Sequence, residues 1–295
     1  QRQMCIRDRS EGDTMYLGAA PKAATSKDRR KQPFSNEPAK PRAFAFKNSY
    51  MTYVLNNYIV PGKDTYEAIM QDGIECNFED YVISKINSYK DYTVEALCRE
   101  FKIEFDKKPK NLEAMLAYRI LGIKGNHAEE FEKANIVVKT IRIGKNNKIK
   151  ESMSFPTFKF KEVIEEEWET SVFGTYLSET RFFFVVYKFD ENDVLRLKGC
   201  QFWNIPYVDL ENEVQKVWNR TKKVLIEGLQ IEQRNGKNYN NFPNASENPV
   251  CHVRPHAQNA QDTYELPDGR QYPKQCFWLN NHYILSQLKD EFKEG

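Results

Sequence analysis

The spacing of apolar residues changes character along this chain. Between residues 63 and 122 it follows the helical period, with Phe78, Val82, Ile86 and Tyr89 on one stripe. Thr93 predicts an N-cap for a helix that buries Val94, Leu97, Cys98 and Phe101. Asn111 predicts a second cap, before a helix with Leu112, Met115, Leu116 and Ile120 inward. Gly122 should end that helix in a left-handed turn.

From residue 134 the pattern is that of strands. Segments 134–143 and 148–155 flank Gly144-Lys145-Asn146-Asn147, a turn cluster that predicts a hairpin. Residues 160–169 predict an acidic helix, on which Glu165, Glu166 and Glu167 read as a solvated face rather than metal ligands. The run from Arg181 to Tyr187 reads as a central strand buried on both faces. Asp190-Glu191-Asn192-Asp193 predicts a turn into a strand over 195–204. Residues 208–227 predict a long helix with Val214, Val217, Trp218, Val224 and Leu225 inward. Residues 233–249 are Asn-rich and carry Gly236, Pro243 and Pro249, the signature of a loop or insertion. Short strands are expected over Val250–Pro255 and Gln275–Leu279, then a helix begun by Asn280.

Toward the N-terminus the periodicity disappears. Residues 11–46 are rich in Pro, Ala and Lys, and Pro21, Pro33, Pro38 and Pro41 prevent a continuous helix, so an extended connector is expected. Residues 1–10 fit nothing that follows. They resemble translated adapter sequence, a non-native segment ahead of a chain that then opens inside a longer natural protein.

Composition narrows the class. A length of 295 residues suits one large domain or two small ones, and 40% hydrophobic with 29% charged residues is ordinary for a globular protein. No stretch approaches the roughly 20 apolar residues needed to cross a membrane, and no signal peptide is evident. Cys5, Cys76, Cys98, Cys200, Cys251 and Cys276 form no Cys-x-x-Cys pair and read as reduced thiols of a cytoplasmic protein. A net charge of +2 argues against a non-specific nucleic-acid coat, yet leaves room for a local groove. Eight Lys/Arg lie between Lys22 and Lys47 against Asp28 and Glu37, and Arg142, Lys145, Lys148 and Lys150 follow one another with no acid until Glu151.

The stretch from Glu130 through Asn135-Ile136-Val137-Val138-Lys139 to Ile141 resembles the active-site strand of MutH-type endonucleases. In that pattern an upstream acid precedes an acid-x-Lys triplet. Residues i and i+2 of a strand share a face, so the triplet sets a metal-binding carboxylate beside an ammonium. Here Lys139 remains, Glu130 stands where the family has Asp, and Val137 replaces the acid. Tyr118, in Met115-Leu116-Ala117-Tyr118-Arg119, falls where the family has a helical acid. Further ordered matches follow. Trp168-Glu169-Thr170-Ser171 repeats a family run, Val253-Arg254-Pro255-His256-Ala257 resembles Val-Arg-Pro-Lys-Ala, and Phe277-Trp278-Leu279 resembles the C-terminal aromatic strand. Met15-Tyr16-Leu17-Gly18-Ala19 and Arg30-Lys31-Gln32-Pro33-Phe34-Ser35 resemble the interlobe segment of two-lobed, Sau3AI-type restriction enzymes, and the likeness runs on through Lys47–Tyr53.

The resemblance implies an α/β, restriction-endonuclease-like fold: a mixed sheet of about five strands flanked by helices, with a helical N-terminal arm. Residues 11–46 would be the interlobe linker. Residues 47–295 would form a DNA-binding lobe, its arm over 47–126 and its sheet core and recognition loop over 127–295. It further implies the second, effector lobe of a GATC-specific type II endonuclease, without cleavage activity of its own. Its partners would be double-stranded GATC DNA and an upstream catalytic lobe. Mg2+ would serve that parent enzyme and no cofactor this lobe. The expected DNA contacts are Lys139, Arg142, Lys145, Lys148, Arg254, His256, Gln258, Asn259 and Asp262. Lys139 has two readings, a catalytic cation or a grip on phosphate. Two alternatives stand beside this one: an active magnesium-dependent nuclease using Glu130 and a further carboxylate such as Glu151, or a protein–protein docking module. A zinc site from His252, His256, Cys251, Cys276 and His282 is not expected, because Pro255 disfavours a helix there and no ligand spacing fits. Phe277 and Trp278 read as core.

Overall fold

The computed structural model describes residues 14–22, 28–32, 35–39, 41–60, 66–71, 76–105, 109–234 and 237–293. The adapter-like residues 1–10, with Cys5, lie outside them. The chain begins with strands β1 (Leu17–Pro21), β2 (Arg30–Gln32), β3 (Ser35–Ala39) and β4 (Arg42–Phe46). Helix α1 (Asn48–Val54) runs into a π-helical turn, followed by α2 (Phe78–Asn87), α3 (Val94–Glu100), α4 (Leu112–Ile120) and α5 (Glu129–Ala134). Next come β5 (Ile136–Ile143), β6 (Met153–Phe158), α6 (Phe160–Glu165), α7 (Val172–Glu179), β7 (Arg181–Phe189) and β8 (Leu195–Trp203). After α8 (Tyr207–Asp209) and α9 (Gln215–Glu227) stand β9 (Ile231–Arg234), β10 (Lys237–Asn240), β11 (Cys251–Pro255), β12 (Thr263–Glu265), β13 (Gln271–Pro273), β14 (Gln275–Leu279) and α10 (Asn281–Gln287). Among the described residues no helix is long and apolar enough to cross a membrane.

Two compact units result. The first holds Gln1–Lys150, Glu179–Asn204 and Leu288–Gly295; the second holds Glu151–Ser178 and Ile205–Gln287. In the first unit β7 lies between β5, parallel to it, and β8, antiparallel to it, so the sheet is mixed. Phe183, Val185 and Tyr187 share a core with Ile136 and Val138 of β5 and with Val82, Ile86, Leu97, Leu116 and Phe131 from the helices. Phe182 and Phe184 lie on the other face, with ring centroids 5.7 and 5.1 Å from Trp203. Burial on both faces is why the β7 sequence is continuously apolar.

The caps follow the sequence with one exception. The Thr93 hydroxyl accepts from Ala96 N–H at 3.0 Å, and Gly122 adopts φ +89°. Asn111 occupies an N-cap position without a side-chain capping bond. The described residues of the 11–46 segment are largely extended, as expected, but they pair with one another: β1 with β4 and β2 with β3, both antiparallel.

The hairpin expected over 134–155 forms only its turn. Gly144 N–H donates to Lys148 carbonyl at 2.9 Å, and a lone bridge joins Ile143 to Ile149. The polar triplet Lys150-Glu151-Ser152 then interrupts the strand, and β6 restarts at Met153 to pair with β14. The strands expected in one sheet of about five therefore divide into two sheets of three, the second ordered β11–β14–β6. β6 takes an edge, where Pro156, lacking an N–H, falls within the register shift between the Cys276–Thr157 and Trp278–Ser154 pairs.

In the second unit α9 buries Val217, Trp218, Val224 and Leu225 as its spacing requires. The predicted acidic helix stops at Glu165, and a 3-10 turn covers Trp168–Thr170. The Asn-rich 233–249 segment is not wholly loop, since β9 pairs with β10 in a hairpin.

Gly199 gives a test of the first unit. It has φ +138°, and an added Cβ would lie 3.0 Å from Asn87 Oδ1 and 3.1 Å from Phe292 Cε1. Gly199→Ala should therefore destabilise the chain by about 1–3 kcal/mol. The check is a lowered urea midpoint at unchanged slope.

Candidate nucleic-acid interface

The expected site residues fall into two groups. Tyr118, Glu130, Val137, Lys139, Arg142, Lys145 and Lys148 belong to the first unit; Arg254, His256, Gln258, Asn259 and Asp262 belong to the second.

In the first group β5 sets the geometry. Val137 and Lys139 are both half-buried and, two apart on a strand, share a face. They pair in register with Phe182 and Phe184 of β7. Glu130 projects from α5, but its carboxylate accepts from Ile69 N–H and Met70 N–H, each at 2.9 Å. It thus ties down a separate backbone segment. Tyr118, on α4, packs with its ring 6.3 Å from Phe131, and burial pushes its phenol up to about 12. Magnesium is a hard cation that takes oxygen ligands, usually one or two carboxylates with phosphate and water. An isopropyl group, a half-buried neutral phenol and a carboxylate already holding two amides do not fit it.

The basic residues after β5 are engaged to different degrees. The Arg142 guanidinium lies 2.7 Å from Glu113, whose side chain is 7% exposed. Tyr187 O–H also donates to the Glu113 carbonyl at 3.1 Å. Glu113 was not legible as a partner, because the sequence offers only an acid in the first turn of α4. Lys145 pairs with Asp193 at 2.9 Å at the surface, an arrangement that water and salt readily exchange. Lys148 is exposed on the same turn, with its backbone N–H bonded to Asn146 Oδ1 at 3.2 Å.

Arg142→Ala would strand the buried Glu113 carboxylate. With Arg142 itself about half exposed, a loss of about 1–3 kcal/mol is expected, partly recovered when Glu113→Gln is added. Chemical denaturation of the single and double variants checks this.

The second group surrounds one indole. Arg254 is exposed at the end of β11, and its guanidinium lies 4.0 Å over the Trp278 ring. Such a stack contributes about 0.5–1 kcal/mol at an exposed site. Trp278 Nε1–H donates to the Arg254 carbonyl at 3.4 Å. The His256 ring meets the same indole edge-on at 5.3 Å, and its backbone N–H donates to Lys274 carbonyl at 2.9 Å. Behind them His252 is buried, its Nδ1 2.5 Å from Asn280 Oδ1, and burial lowers its imidazole pKa. Asn280 Nδ2–H donates in turn to Asn248 carbonyl at 2.7 Å.

The loop after His256 is shaped by its own side chains. Asn259 Oδ1 accepts from Gln261 and Asp262 N–H at 2.9 and 3.1 Å. Asp262 accepts from Gln258 N–H at 3.0 Å and pairs with Lys274 at 2.5 Å. The bond to Lys274, then that to Gln258, holds the Asp262 carboxyl below its ordinary value. Two residues expected to contact DNA thus first hold the loop's backbone, while Gln258 remains exposed upon it. Lys274 was missed, and Trp278 is more than core: its other contacts make it a platform. Phe277, by contrast, stacks on Phe173 at 4.1 Å. Among the described residues no group of three or more His, Cys, Asp or Glu is arranged to hold a metal ion.

No protein-family model matches the chain. It is 37% identical to the type II restriction enzyme Sau3AI of Staphylococcus aureus over 95% of its own length and 66% of that enzyme's. The chain thus spans slightly less than two thirds of this relative.

Proposed function

Because the chain belongs to the Sau3AI-type restriction endonuclease family, we propose that it is a sequence-specific DNA-binding effector lobe, deficient in cleavage, of a two-lobed type II enzyme that reads GATC. The observation that carries this reading is Val137: beside Lys139, on the strand face where chemistry would need a carboxylate, there is a hydrocarbon. Glu130 supports it, since its carboxylate is committed to two backbone amides.

In this reading Lys139, Lys145 and Lys148 meet phosphates, which position the duplex without reading it. Arg254 and His256 face base edges or adjacent phosphates, with Gln258 and Asn259 on the loop beside them. Arg142 and Asp262 act mainly by holding structure. The other partner is an upstream catalytic lobe of the same polypeptide, which would use magnesium, while this lobe takes none. The compartment is the cytoplasm.

The experiment is equilibrium binding to a GATC duplex and to a shuffled duplex, with a plasmid-nicking assay in magnesium. GATC-selective binding without nicking, weakening steeply as salt rises, is the expected result. Magnesium-dependent nicking would replace the proposal with an active nuclease that draws on Glu130 and a further acid such as Glu151. Binding to neither duplex would replace it with a docking module.

A further inference from the structure

We infer that Trp278 is the positioning residue of the reading loop: its indole holds the Arg254 guanidinium and the His256 ring in one fixed arrangement. The inference rests on the DNA-binding reading of that loop and assigns its specificity to a residue that need not touch DNA.

The indole contacts Arg254 twice. Its π face lies 4.0 Å beneath the guanidinium, and its Nε1–H reaches the Arg254 carbonyl at 3.4 Å. Side chain and backbone of one residue are therefore referred to the same ring. The ring is itself well anchored. Trp278 lies on β14, the central strand of its sheet, in direct register with His252 of β11. The His252 ring is nearly parallel to the indole, at 6.4 Å and 18°, and is fixed by Asn280. His256 meets the indole at 71°, so both exposed cation-forming side chains of the Arg-Pro-His run share one support.

The neighbouring residue shows that burial alone does not call for this arrangement. Phe277, on the opposite face of β14, is spent on stacking against Phe173. A leucine at position 278 would keep the position apolar, but it offers no π face and no donor. Arginine has many rotamers, and bidentate recognition of a base needs one of them. Stacking removes that freedom before DNA arrives, which converts a mobile charge into a directional reader.

The test compares Trp278→Phe, Trp278→Leu, Arg254→Ala and the Trp278→Leu/Arg254→Ala double variant. Anisotropy titrations use one GATC duplex and one shuffled duplex of equal composition, over a range of salt. Trp278→Leu should weaken GATC binding about three- to fivefold while shifting the shuffled duplex less than about twofold. Trp278→Phe should retain most of the preference. In the Arg254→Ala background Trp278→Leu should add less than about a twofold loss, because the guanidinium it positions is gone and only the edge contact with His256 is left to lose. Additive losses, or equal weakening on both duplexes, would overturn the inference and leave Trp278 a structural residue.

A DNA-free readout accompanies these titrations. The Arg254 Nε–H proton should be ring-current shifted upfield in the wild-type chain and in Trp278→Phe, and should lose that shift in Trp278→Leu. An Arg254 signal unmoved by Trp278→Leu would overturn the stack directly. A wild-type chain that shows the shift but no preference for GATC would overturn the functional reading, and the inference with it, so the two failures are told apart.

Discussion

Arg254→Ala is expected to weaken binding to a GATC duplex by about 10- to 100-fold, whereas Lys145→Ala should cost less than about threefold. The contrast follows from what each cation already does. Arg254 is exposed, its guanidinium 4.0 Å over the Trp278 ring, and at the mouth of a loop stiffened by Asn259 and Asp262. A guanidinium held in that way can offer two parallel donors to one guanine edge. Lys145 sits on a turn and shares its charge with Asp193 at 2.9 Å. It can add a phosphate contact, which changes affinity for all sequences alike and lowers the salt dependence by about one counterion. Titrations of both variants on GATC and shuffled duplexes at two salt concentrations separate the roles. Equal losses for the two variants would remove the assignment of the 254–262 segment as the reader.

The reliability of the sequence reading tracked the range of the interaction concerned. Thr93 and Gly122 were legible because a cap and a left-handed turn are properties of a few consecutive residues. The strands β7 and β14 were legible from apolar runs, Phe182–Tyr187 and Cys276–Leu279, whereas His252 and Arg254 interrupt β11. Partnership was not. β5 and β6 are adjacent in sequence and share a turn, yet their ladders run with β7 and β14, and no local pattern encodes that choice. The same limit applies to the site. That Val137 lacks an acid can be read from one letter. That Glu130 is committed to Ile69 and Met70, Arg142 to Glu113, and Asp262 to Lys274 depends on residues 12 to 61 positions away. Trp278 is buried in the core as its sequence implies, and only its contact with Arg254 was not legible. The cation across its ring came from a neighbouring strand.

Val137→Glu should remain inactive in magnesium, with nicking no higher than that of the wild-type chain. The substitution restores the missing letter and sets a carboxylate beside Lys139, on the same face of β5. A magnesium ion positioned for hydrolysis needs more than one such oxygen, with a stabilised attacking water. The next candidates do not supply it. The Tyr118 phenol is protonated, pushed up to about 12 by burial, and rests against Phe131. Freeing Glu130 would cost the Ile69 and Met70 amides their acceptor, about 1–3 kcal/mol if they stay buried. Adding Tyr118→Glu would set a carboxylate against the aromatic packing of α4 and α5, and should lower the melting temperature before it created a metal site. The measurement is plasmid nicking by the single and double variants, alongside thermal denaturation with and without magnesium. Robust cleavage by Val137→Glu alone would mean that an intact second ligand exists in this chain, and that the proposed cleavage deficiency rests on one carboxylate.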